Sequence, residues 1–210
     1  IIIAIFFLIA AIWLTVTIAT SEKKDLKIMY AGPEYLNTIK EGEKNTGIEQ
    51  IKNALSGSVV KDYNGDGKII ISLDNHTILN SVQLVTPDKD GKKPTPQQIG
   101  NNEATLNTFI QQIRQGEILL FLIDEGLYKE NFSSGMFRSV DDALREATGD
   151  ENATVPSQWK CGEYAVYLSK TELGSYVKGL GALPDDTVLC ISPKYWGTPD
   201  NVYENSLEFF

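Results

Sequence analysis

The densest chemistry in the chain is the run Asp62-Tyr63-Asn64-Gly65-Asp66-Gly67-Lys68. Its D-x-N-x-D-G spacing places side-chain oxygens at loop positions 1, 3 and 5, a glycine at 6 for the tight turn, and a backbone carbonyl at 7. A calcium loop of the EF-hand kind needs that order of hard oxygen ligands. Asp62, Asn64, Asp66 and the Lys68 carbonyl are therefore the candidate metal ligands, and calcium is the candidate cofactor. Position 12 falls on Leu73 instead of a bidentate Glu, and Asp74 comes one place late. The segment that follows reads as a strand, not an exiting helix. The competing reading is a tight Asn-Gly/Asp-Gly turn that holds no ion. A site lacking its bidentate acid would be weak, with a Kd on the order of 10⁻⁴ to 10⁻³ M, suited to an extracellular compartment.

The second group is Asp124-Glu125, at the carboxyl end of the apolar run Ile118 to Ile123. Open α/β sheets present ligand-contacting groups at that place. Adjacent acids point apart, whereas glycoside hydrolysis needs two carboxyls facing each other across about 5–9 Å. Capping of the next short helix is the plainer role. One histidine, His76, excludes multi-histidine zinc and two-histidine iron sites, and it reads as a surface or turn residue. Neither a P-loop nor a GxSxG elbow occurs. Cys161 and Cys190 admit one pairing, and separate buried thiols are the default expectation. The domain is thus expected to bind, not to catalyse, with a membrane-tethered hydrolase using Asp124 or Glu125 as the alternative.

The chain divides into two parts. Residues 1–20 carry no charged side chain, and at about 1.5 Å per residue they would form a helix of about 30 Å, the thickness of a bilayer core. They read as a transmembrane anchor, and a cleaved signal peptide or a buried core helix fits less well. Residues 21–210 then form an extracytoplasmic α/β domain on a single-pass protein of the cell membrane. The chain holds 19 basic and 28 acidic side chains, a formal charge of −9. That charge disfavours nucleic acid and a second, basic membrane contact.

The elements that position these groups follow from periodicity. Strands are expected at Leu26 to Tyr30, Lys68 to Leu73, Ile118 to Ile123, Tyr164 to Leu168 and Thr187 to Ile191. Helices are expected around Ile48 to Leu55, at Asn102 to Gly116, after the Ser139–Asp142 and Ser169–Glu172 capping-box spacings, and at Val202 to Phe210. The stretches Glu41 to Thr46 and Thr86 to Asn102 read as exposed loops. Because Ile118 to Ile123 is apolar on both faces, it predicts one mainly parallel sheet of about five strands with helices on both faces. The carboxyl edge of that sheet, near Tyr30, Gly32, Asp124 and Tyr195, is the expected ligand groove. Trp159, Tyr195 and Trp196 could form an exposed aromatic patch, although core or rim packing is the commoner role of such residues.

The segment Leu106 to Leu144 (LNTFIQQIRQGEILLFLIDEGLYKENFSSGMFRSVDDAL) resembles part of the bacterial extracellular solute-binding proteins, of the type 2 periplasmic-binding kind. The strand–helix–strand–helix–strand order before it is similar to their first lobe. The resemblance implies a periplasmic-binding-like fold with Asp124 and Tyr128 facing a ligand cleft. The chain departs from that family in having no lipobox cysteine and no room for a second lobe. It reads as a single tethered lobe that binds a small molecule or a protein partner, without hinge closure over a solute.

Overall fold

A computed structural model describes residues 24–33, 36, 45–58, 61–88, 91–132, 135–171, 174 and 183–210. The expected anchor, residues 1–20, lies outside them, as does most of the helix expected after Ser169. Among the described residues no helix is long and apolar enough to cross a membrane.

The fold is α/β around a five-stranded sheet. Strands β1 (Leu26–Gly32), β2 (Ile71–Thr77), β3 (Leu120–Asp124), β4 (Val166–Tyr167) and β5 (Thr187–Ile191) lie in the order β2-β1-β3-β5-β4. The helices are α1 (Gly47–Ser58), α2 (Pro96–Gln115), α3 (Glu125–Asn131), α4 (Val140–Thr148) and α5 (Asp200–Phe209). On one face α1, α4 and α5 pack Ile51, Leu55, Val140, Ala143, Tyr203 and Leu207 against Leu26, Ile28, Tyr30, Leu120 and Leu122. On the other, α2 and α3 pack Phe109, Ile113, Leu127 and Tyr128 against Met29, Ala31, Phe121, Ile123 and Cys190. Phe109, Phe121, Phe132 and Phe137 form a ring cluster on that second face, with edge-on or tilted pairs 5.4–5.9 Å apart.

The sheet is mixed, not mainly parallel. β1 pairs in parallel with β2 and β3, but β5 runs antiparallel to both β3 and β4. Burial on both faces makes a strand continuously apolar whichever way it runs, so the sequence of β5 carries no direction. A turn in which Thr187 N donates to the Pro184 carbonyl, 3.1 Å away, starts β5 at the carboxyl end of the sheet.

Two boundaries and one cap differ from expectation. β2 begins at Ile71 instead of Lys68 because Ile70 N is held by Asp25 Oδ2 at 2.7 Å, which keeps residues 68–70 in the preceding loop. Helix α2 begins at Pro96, inside the stretch expected to be a loop. Thr95 and Gln98 form a reciprocal capping box there, Pro96 occupies the first turn, and Gly116 closes the helix in the left-handed region at φ 68°. Ser139 does open α4, but its side chain makes no cap. The Asp141 carboxylate instead accepts from Val155 N at 2.8 Å and from Lys160 Nζ at 2.6 Å, tying the helix to the segment that follows it.

Candidate functional site

The carboxyl edge between β1 and β3, where a groove was expected, is filled. Asp124 ends β3 and is only 2% exposed. Its Oδ1 accepts from Asn80 Nδ2 at 3.0 Å and from Leu127 N at 2.9 Å, while Oδ2 accepts from Gln83 Nε2 at 3.2 Å. Asn80 and Gln83 in turn cap each other, Asn80 N donating to Gln83 Oε1 at 3.0 Å and Gln83 N to Asn80 Oδ1 at 2.9 Å. Ser81 N and its hydroxyl donate to Glu130 at the end of α3. The turn after β2 is therefore clamped over the strand ends by the Asp124 carboxylate. Gly126 has no room for a side chain, since a Cβ would overlap Asn80 Nδ2.

The other expected ligand residues separate. Tyr30 is buried, and its ring occupies the space a side chain on Gly32 would need. Tyr128 is 2% exposed among Cys161, Cys190 and Gly162. Burial above all pushes its hydroxyl far above the usual tyrosine range. Only the Tyr164 backbone amide opposes that, and weakly, because the hydroxyl makes no hydrogen bond of normal geometry. Tyr195 lies at the opposite end of the sheet, packed on Gly116 before β3.

Glu125 is held by Lys129 Nζ and Tyr167 OH, each at 2.6 Å, and these donors, Lys129 first, lower its carboxyl below the usual range. Asp186, on the exposed turn before β5, is shifted the other way, by local desolvation and then by Asp124 and Glu125. Both cysteines are free and buried, with thiols pushed up by burial.

The Asp62–Lys68 loop is a tight turn held by its own side-chain oxygens. Asp62 Oδ1 accepts from Gly65 N at 2.7 Å and its Oδ2 from Gly67 N at 2.6 Å. Asn64 Oδ1 accepts from Asp66 N, and Asp66 Oδ1 from Lys68 N. Gly65 and Gly67 sit at φ 72° and 82°, where only glycine is unstrained. The amide of Gly67, ahead of the others, lowers the Asp62 carboxyl and keeps it charged. The sequence did not foretell Asp25. Its Oδ1 accepts from Tyr63 N, Asn64 N and Asn64 Nδ2, bracing the loop from below while its own oxygens are used up. Leu73 at position 12 is buried in the core and supplies no ligand. Both oxygens of Asp62 and one oxygen each of Asn64 and Asp66 thus accept backbone amides within the turn. Among the described residues no three His, Cys, Asp or Glu side chains converge on a common metal position.

An open cavity lies instead at the carboxyl end of β2. It measures about 390 Å³ and is lined by Asn75, His76 and Thr77 of β2 and by Gln97, Asn101 and Thr105 of α2, among ten residues of which none is Asp, Glu, Lys or Arg. Asn75 Oδ1 and Thr77 Oγ1 are buried without partners. His76 is half-buried with its ring 5.7 Å from Phe109, and burial lowers its pKa, which favours the neutral imidazole. A second cavity of about 280 Å³ adjoins it, sharing Leu79 and Gln98 and lined also by Lys92 and Lys93. A third, apolar one of about 310 Å³ lies by Trp159 and Phe210. None of the three is lined by Asp124, Glu125 or Asp186. The sequence signal for the first cavity was Thr95-Pro96-Gln97-Gln98, which marks a helix start and sets Gln97, Asn101 and Thr105 at helical spacing.

No protein-family model, curated protein or solved structure matches this chain.

Proposed function

We infer that this chain is an extracytoplasmic, non-catalytic binding module held at the cell membrane by residues 1–20. In this reading it is a single lobe resembling a solute-binding protein. It takes a small, uncharged, hydroxyl-rich ligand in the cavity beside His76, and calcium stabilises it at Asp62–Lys68. The observation that carries the ligand site is the charge-free lining. With 22% charged residues in the chain, ten lining residues would carry about two by chance, and this cavity has none. Carboxamides, hydroxyls and a neutral imidazole offer donors and acceptors without the desolvation cost of a full charge. The volume falls within the roughly 300–1,000 Å³ of small-molecule sites. The β1–α1–β2–α2–β3 order supports the single-lobe reading.

A hydrolase using Asp124 and Glu125 has less support. Asp124 spends both oxygens on the clamp, and Glu125 is bonded to Lys129 and Tyr167.

Titration calorimetry on the full chain with maltose, cellobiose and N-acetylglucosamine tests the cavity, with citrate and spermidine as charged controls. A neutral sugar should bind, and Gln97→Ala/Asn101→Ala, on an exposed helix face, should weaken it tenfold or more with Tm unchanged. Binding of the charged probes alone would defeat the ligand assignment. Millimolar calcium should raise Tm, and Asp62→Ala/Asp66→Ala should abolish that rise.

A further inference from the structure

Because β1, β2 and β3 are parallel, their amino ends lie together, and the chain enters the sheet there, at Leu26. Asp25 is fixed at that end by its bonds to Tyr63 N, Asn64 N and Ile70 N. The reversed strand β5 finishes at the same end, with Ile191 opposite Leu120 and Ser192 N donating to the Leu119 carbonyl at 2.8 Å. The chain then makes a turn in which Thr198 N donates to the Tyr195 carbonyl and Thr198 Oγ1 to the Gly116 carbonyl, each 3.1 Å away. Gly197 at φ 99° completes the turn. At its tip stands Trp196, whose side chain is fully exposed. Large apolar side chains are otherwise exposed only at Val82, Val85 and Ile99 among the described residues, on the carboxyl side of β2 and the start of α2.

Only residues 21–24 separate the uncharged run from Asp25. Fully extended, five steps of about 3.3–3.6 Å span at most about 18 Å. If residues 1–20 cross a bilayer, the amino end of the sheet is held within that distance of its surface. The geometry points to Trp196 as an interfacial anchor, its indole lying among the lipid headgroups beneath the domain. This inference rests on the tether proposed above. A tryptophan offers a large apolar body and one N–H, the pairing that places it at headgroup depth in membrane proteins. The turn that carries Trp196 is tied to the Gly116 carbonyl through Thr198 Oγ1.

The test uses the full chain reconstituted in phosphatidylcholine vesicles, with Trp13→Phe/Trp159→Phe leaving Trp196 as the only tryptophan. We expect a blue shift of its emission on reconstitution, quenching by lipids brominated near the headgroup, and loss of quenching by iodide. An anchored chain whose Trp196 stays open to iodide and blind to brominated lipid overturns this inference and leaves the tether standing. A chain released from the vesicles by alkaline wash overturns the tether as well.

Discussion

Replacing Asp124 by Ala removes the acceptor on which three donors converge. Asn80 is only 8% exposed and the Leu127 amide is buried, so neither can turn to water, whereas the half-buried Gln83 amide can. Hydrogen bonds to a charged group contribute about 1.5–3 kcal/mol each, so the two trapped donors set a loss of about 3–6 kcal/mol. At about 2–4 °C per kcal/mol for a chain of this size, Tm should fall by roughly 6–24 °C. Urea unfolding followed by tryptophan emission measures the first quantity. Hydrogen exchange reads the mechanism: the amides of Gln83 and Leu127 should lose protection beyond the global change, because the turn after β2 comes loose first. Gly126→Ala gives an independent check of the same clamp. An alanine in a helix normally gains about 1 kcal/mol over glycine, yet here its Cβ meets Asn80, so the sign should reverse. A loss below about 1 kcal/mol for Asp124→Ala, with exchange at Gln83 unchanged, would refute the clamp.

Glu125 has a folded-state pKa lowered from 4.5, so the stability it contributes is present above that value and disappears as the pH falls through the lower one. Tyr167→Phe removes one donor and should flatten the acid limb of the stability-versus-pH curve, measured by urea midpoints below pH 5. Gly116→Ala should cost at least about 1–2 kcal/mol, because its φ is 68° and its Cβ would lie 2.7 Å from Thr198 Oγ1; Trp196 emission should shift as the turn moves. Cys161 and Cys190 should resist a thiol reagent in the folded chain and react on denaturation, since both are buried with raised pKa values.

The elements readable from the sequence were those whose signal is local. Leu106, Phe109, Ile110 and Ile113 on one stripe predicted α2, and the apolar runs at β3 and β5 predicted strands, because burial of a face imposes its period on the residues themselves. What was not readable depends on distant partners. The clamp needs Asn80 and Gln83, more than forty residues before Asp124, and an acid at a strand end looks alike whether it faces ligand or a capping turn. The start of β2 depends on Asp25. A parallel β5 would deliver Tyr195 to the carboxyl edge, and reversal of that one strand sends it to the other end. The cavity beside His76 depends on α2 beginning at Pro96, and the polar run from Thr86 to Asn102 reads as loop except for the Thr95–Gln98 box.

The place where the chain enters the sheet also sets how the domain would carry load. β1 is an interior strand, bonded along Leu26–Gly32 to β2 and from Ile28 to Ala31 to β3. If residues 1–20 anchor the chain, a pull on them along the strand axis would strain those two ladders in shear, many hydrogen bonds at once, instead of peeling them singly as at a sheet edge. The Asp25 carboxylate adds the 62–70 loop to the same mechanical unit. An ion held in that loop would then stiffen the first point at which force reaches the fold.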